Sequence, residues 1–196
     1  MLPIDGSALE RMMHERPQIT ADRTSYTLRP DTQVLPAADV EIPPGGAEGV
    51  LLCQGTNAGG WSFYVKDNHL HYAHNYVQRT LHHVASGEAV PERRHTLRFE
   101  FEPTGSPDIA AGKGSPGRAQ LYFGDRLVGE IEMPFTTPVA FNPGGMGCGA
   151  NPGSAVTSDY RAPFRFTGTL HSVTVDMSGD LIVDAPGEMR MHMARQ

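Results

Sequence analysis

Positive charge is scarce in this chain. Sixteen Lys and Arg stand against twenty-two Asp and Glu, leaving a formal charge of −6, and no cluster of cations interrupts that balance. A phosphate backbone finds no matching surface, so nucleic acid is excluded as a partner. Cysteine is limited to Cys53 and Cys148, with no CxxC spacing, so neither a metal knuckle nor a thioredoxin-type redox pair is encoded. One disulfide is open to them only if the fold brings them together. More simply, Cys53 is a small buried residue next to Val50-Leu51-Leu52, and Cys148 belongs to a glycine-rich loop. Long apolar runs are missing as well: nothing reaches the ~18 residues of a membrane-spanning helix. The first fifteen residues have neither a basic n-region nor an apolar h-region. The chain therefore reads as soluble and unexported, cytoplasmic by default, with no membrane partner.

Catalytic motifs are equally thin. No GxSxG elbow is present, and no Ser, His and Asp can be matched as a triad from their order in the chain. Gly144, Gly145, Gly147 and Gly149 do not follow a strand and open a helix, so they read as loop glycines rather than a phosphate cradle. The chain is not expected to be an enzyme on its own, and no catalytic residue is assigned.

What is abundant is turn chemistry. Glycine (22) and proline (16) make up about a fifth of the 196 residues, which suits many tight turns between short strands. Residues 49–101 hold four or five consecutive strand signals. Gly60-Trp61-Ser62-Phe63-Tyr64-Val65-Lys66 alternates large and polar side chains, Asp67-Asn68 tolerates positive φ, and His69-Leu70-His71-Tyr72 resumes the alternation, which predicts a two-residue hairpin. His95 to Phe101 places Leu97, Phe99 and Phe101 on one face and Thr96, Arg98 and Glu100 on the other. Gly124-Asp125 joins a second hairpin, residues 119–123 with 126–131.

Near the start, residues 4–15 form the one helical stretch, closed by Pro17. Residues 23–28 read as a first strand, and 33–36 and 39–42 as two pieces separated only by Ala37-Ala38. Residues 103–117 and 143–163 have no periodicity and read as surface loops. The last strand signal runs over 164–176, with a bulge near Gly168. The expected organisation is a helical lead-in (1–22), one β-domain (23–177) and a tail (178–196). The expected fold is all-β: a two-sheet antiparallel sandwich of the jelly-roll, concanavalin-like lectin type, with a short N-terminal helix.

Nine histidines are many for this length. His69 and His71 share a strand face while His74 points to the other, so at most two imidazoles of this group converge and no third ligand is evident; strand histidines are the simpler reading. No cofactor is required, but a calcium ion is one option, since sandwich loops often hold one where Asp, Asn and backbone oxygens meet; the candidates are Asp67, Asn151 and Asp159. Trp61, Tyr64, Tyr72 and Tyr76 are the candidates for an aromatic platform under a sugar ring, with the lone Trp61 better placed in the core.

Residues 46–55 and 59–67, then Tyr72, Asn75-Tyr76, residues 94–101, Gly153-Ser154-Ala155-Val156-Thr157-Ser158-Asp159-Tyr160 and Phe164-Phe166-Thr167-Gly168 resemble the C-terminal region of large bacterial arylsulfatases. The opening Ile4-Asp5 and residues 23–28 extend the resemblance over nearly the whole chain. In that family a separate domain does the chemistry through a C/S-x-P-x-R motif, which is absent here. The resemblance implies a non-catalytic accessory sandwich, partnered by a sulfatase catalytic domain or by self-association. It also implies an exposed sheet edge, because the family's additional polar strand between the counterparts of Val34-Leu35 and Asp39-Val40 is missing. The alternative is a free-standing, lectin-like carbohydrate-binding module with a glycan as partner.

Overall fold

The structure, a computed structural model, describes residues 18–19, 35–137 and 145–176. The expected helix over 4–15, the strand over 23–28 and the tail beyond 177 lie outside these residues. Among the described residues eleven strands form two antiparallel sheets. The first sheet runs in the order β1 (Gln18–Ile19), β11 (Thr169–Asp176), β2 (Leu35–Ile42), β7 (Arg93–Pro103), β8 (Gly117–Phe123), β9 (Arg126–Met133). The second runs β10 (Met146–Cys148), β3 (Gly49–Thr56), β4 (Gly59–Lys66), β5 (His69–Tyr76), β6 (Thr80–Ala89). Among the described residues the only helical element is the single 3-10 turn Ile109–Ala111 inside the loop expected over 103–117, capped by the Asp108 side chain.

The pleat explains the layering. Trp61, Phe63 and Val65 of β4 and Leu70 and Tyr72 of β5 turn inward to meet Leu97 and Phe99 of β7 and Ala119 and Leu121 of β8 in one core. Tyr72 stacks on Phe99 across the sheets with ring centroids 3.7 Å apart, and Phe63 meets the same ring at 6.4 Å. Both forecast hairpins form. Asp67 (φ 49°) and Asn68 (φ 60°) take the left-handed conformations that a tight two-residue turn requires, and Gly124 (φ 59°) serves the β8–β9 turn.

Three details differ from the sequence reading. Residues 33–36 and 39–42 are not two pieces: Leu35–Ile42 is one strand, hydrogen-bonded to β11 on one side and β7 on the other. No edge is left open there, because β2 lies inside its sheet. The last strand starts at Thr169, not 164, and its irregularity falls between Leu170 and Ser172. The short strand β10 lies inside the stretch expected to be irregular, paired to β3.

The free thiols illustrate the pleat once more. Cys53 belongs to a small cluster on the outer side of the second sheet, with Val50, Tyr64, Ala73, Val156 and Tyr160, whereas Cys148 packs against the main core. Lying on opposite faces of paired strands, they stay unpaired.

Candidate functional site

The outward positions of β4, β5 and β6 are Ser62, Tyr64 and Lys66, then His71, Ala73 and Asn75, then Leu81, His83 and Ala85, as the strand register dictates. Residues 149–167 fold over part of this face. Val156 and Tyr160 complete the outer cluster, with Phe164 stacked on Tyr160 at 4.9 Å. Polar groups fasten the cover: the Ser62 and Tyr160 hydroxyls are 2.8 Å apart, and Asn75 Nδ2 donates to the carbonyls of Val156 and Asn57. Asn151 Nδ2 donates to the Ser154 carbonyl, and Tyr160 donates to Asn151 Oδ1.

At the rim of this cover the side chains converge. Asp159 accepts from the Tyr64 hydroxyl at 2.7 Å and from Lys66 Nζ at 2.8 Å. His71 Nε2 donates to the Lys66 carbonyl at 3.2 Å, which leaves Nδ1 as the lone pair, and His83 Nε2 donates to it at 3.0 Å. The three rings form a staircase, with Tyr64 on His71 at 5.0 Å and His71 on His83 at 5.2 Å. Burial pushes the Asp159 carboxyl up, but hydrogen bonds from Lys66 and Tyr64 outweigh it and leave it below its ordinary value. The same contact with Asp159 holds the Lys66 ammonium above its usual range. Burial lowers His71, more than its bond to the Lys66 carbonyl restores, so the ring is neutral near pH 7. Burial first, and then the Asp159 carboxylate, keep Tyr64 a phenol. One ligand atom each from His71, His83 and Asp159 lie within 4.8 Å of one another.

Beyond Lys66 and the β4–β5 turn lies a cleft of about 300 Å³, lined by Gly45, Gly46, Ala47, Glu48, Asp67, Asn68 and Thr167. Its floor is a reciprocal pair: Glu48 N–H donates to Thr167 Oγ1 and Thr167 N–H to the Glu48 carbonyl. Gly46, at φ 92°, is where the wall closes, since a Cβ there would sit 1.7 Å from Asn68 Oδ1.

The residues proposed from sequence are distributed differently. Trp61 and Tyr72 are buried in the main core and stack on each other at 6.4 Å. Tyr64 is fully buried beneath the cover, and Tyr76 is half-buried, its hydroxyl spent on the Gly112 carbonyl. These four rings therefore form no shared exposed platform; alternation along β4 and β5 sends them to different faces. Of the calcium candidates, Asp67 and Asp159 flank Lys66, at 3.9 and 2.8 Å from its ammonium, so a cation already lies between them. Asn151 is buried and committed to fastening the cover. The three do not converge. What sequence reasoning missed is Asp159 as the partner of His71 and His83. It stands 95 residues from Tyr64, and only the covering segment brings it in. Alternation gave the strand face of His71, but no local pattern ties His83 or Asp159 to it.

The described residues define a nearly all-β, two-sheet antiparallel sandwich. Among solved structures, the chain is similar to the CBM40 carbohydrate-binding module of the Ruminococcus gnavus IT-sialidase (TM-score 0.54, 11% identity, 90% of this chain and 96% of that one). It is similar to the same module bound to α2,3-sialyllactose (TM-score 0.53, 12% identity, 90% and 96%). It also resembles the leech intramolecular trans-sialidase (TM-score 0.54, 10% identity), covering 88% of this chain and 26% of that larger one. No family model matches. No curated protein sequence matches. The arylsulfatase resemblance is thereby corrected: the structural neighbours are sialidase carbohydrate-binding modules, and neither comparison by sequence connects the chain to sulfatases. The residues that carried it, alternating strands punctuated by Gly and by Asp67-Asn68, are those any antiparallel sandwich of this layout needs. Among the described residues no helix is long and apolar enough to cross a membrane.

Proposed function

We propose that this chain is a non-catalytic, lectin-like carbohydrate-binding module that takes a neutral glycan in the cleft beside the β4–β5 turn. The observation that carries the reading is the cleft itself: open, and lined by Glu48, Asp67, Asn68 and Thr167 on a glycine-rich wall. Carboxylate and amide oxygens accept from sugar hydroxyls, and the Asn68 amide group can also donate to them. The likeness to carbohydrate-binding modules over 90% of the chain supports it at the level of the fold. Two carboxylates and no cation line the cleft, and the adjacent Lys66 is held more closely by Asp159, at 2.8 Å, than by Asp67, at 3.9 Å. Like charge therefore disfavours sialylated or sulfated ligands relative to neutral ones. Among the described residues no serine or cysteine is hydrogen-bonded to a histidine, and the one threonine that is, Thr137 with His74, is buried away from the cleft.

Titration of isotopically labelled protein with lactose, cellobiose and 3′-sialyllactose, followed by amide chemical shifts, tests this. Shifts centred on residues 45–48 and 67–68 are expected with a neutral sugar, and Asp67→Ala should weaken that binding by about tenfold, the equivalent of ~1.4 kcal/mol. Shifts elsewhere on the molecule, tighter binding of 3′-sialyllactose, or no response to any of the three would overturn the reading.

A further inference from the structure

We infer that His71 Nδ1, His83 Nε2 and Asp159 form a binding site for a divalent transition ion of the zinc class, separate from the cleft and independent of whether the cleft binds sugar. The three ligand atoms are already within 4.8 Å of one another, on two neighbouring strands and the covering segment. The two imidazole nitrogens are 3.0 Å apart. Zinc with Zn–N bonds of 2.0–2.1 Å and tetrahedral angles needs roughly 3.3 Å between two nitrogens, so the metal replaces the proton between the rings, which must move slightly apart and turn until both lone pairs meet at it.

The surroundings are arranged as a ligand set requires. His71 gives its Nε2–H to the Lys66 carbonyl, which fixes the tautomer and aims the Nδ1 lone pair at the site. Asp159 is held by the Tyr64 hydroxyl, which also lies 3.4 Å from His83 Nε2 and so stands between these two ligands, where it must turn aside or join the metal's shell. His83 is exposed, so its proton can move from Nε2 to the solvent side when the metal takes that nitrogen. Two imidazoles and one carboxylate favour zinc, copper or nickel over calcium or magnesium, which prefer an all-oxygen shell. Three protein ligands leave a fourth position for water, on the side where His83 meets solvent. Lys66 sets the limit on affinity: its ammonium already neutralises Asp159 at 2.8 Å and repels an arriving cation.

That competition separates this site from chance chelation by the chain's nine histidines. The full chain, stripped with EDTA, is titrated with zinc alone by calorimetry and with cobalt by its visible absorption. One equivalent is expected to bind, with a tetrahedral cobalt spectrum. His83→Ala and Asp159→Asn should each lose about 10- to 100-fold in affinity. Lys66→Gln should tighten binding, and His69→Ala, on the same hairpin but bonded to the Asp67 carbonyl, should change nothing. Unchanged affinity in His83→Ala, loss of affinity in Lys66→Gln, or an octahedral cobalt spectrum unaffected by any of these would overturn the proposal. Because His83 lies at the surface, failure of that variant to fold is not an explanation for a null result, and thermal melting of each variant checks the point.

Discussion

His74 shows how much one side chain can tie to solution conditions. It is buried against Tyr72 and His82, and its Nε2 accepts the Thr137 N–H at 2.9 Å. Burial, with a smaller push from neighbouring His82, pulls it down to about 3. In the unfolded chain it takes up a proton near its ordinary ~6.5. Stability is therefore full above that value and falls as the pH drops from there towards 3, by about 1.4 kcal/mol per unit. His71 and His82, also lowered chiefly by burial, act in the same direction. Urea midpoints measured from pH 7.5 to 5 should fall, with His74 alone accounting for about 2 kcal/mol by pH 5. In His74→Gln the slope should flatten even if the starting stability is lower. An identical slope in that variant would show that the titration lies elsewhere.

At the scale of strands and turns, what could be read in advance was what is chemically local. Asp67-Asn68 and Gly124-Asp125 announce their hairpins because few residues accept positive φ. The β5–β6 turn was silent for the same reason: Val77 (φ 42°) and Gln78 (φ 62°) are unusual there. The turn is held from outside, by Asn75 Oδ1 accepting the Gln78 N–H. The burial of Trp61 followed from alternation, whereas β10 and the meeting of Asp159 with the two histidines depend on a segment with no period of its own. The closure of the sandwich was equally hidden. β6 and β9 come so close that a Cβ on Gly129 would lie 2.6 Å from the Ala85 carbonyl oxygen, and Glu88 pairs with Arg126 across the same seam. Gly129→Ala should therefore destabilise by about 1–3 kcal/mol, because backbone must yield. Gly87→Ala, whose added carbon would meet only the Val128 carbonyl oxygen at an ordinary 3.8 Å, should stay within about 0.5 kcal/mol. Equal chemical-denaturation midpoints for the two variants would mean that the seam is not tight.

For the molecule as a whole, the segment over the outer face of β3, β4 and β5 adds a third layer to a two-layer body. The thiols sit on either side of the sheet it covers, and that placement makes them a built-in clock. Cys53, pushed up to about 12 by burial, is inert until the cover lifts; Cys148, pushed up to about 11, is half-buried at the short edge strand. Alkylation followed by peptide mass should therefore run at two separate rates, with Cys53 the slower. Tyr160→Ala, which cuts the cover's bond to Ser62 and its internal bond to Asn151, should speed Cys53 and leave Cys148 nearly unchanged. One common rate for both would mean that cover and sandwich open as a single unit. Two rates would mean that the protein sheds its outer layer first, like a hinged panel, and that a carboxylate resting on that panel arrives at or leaves its histidines each time it swings.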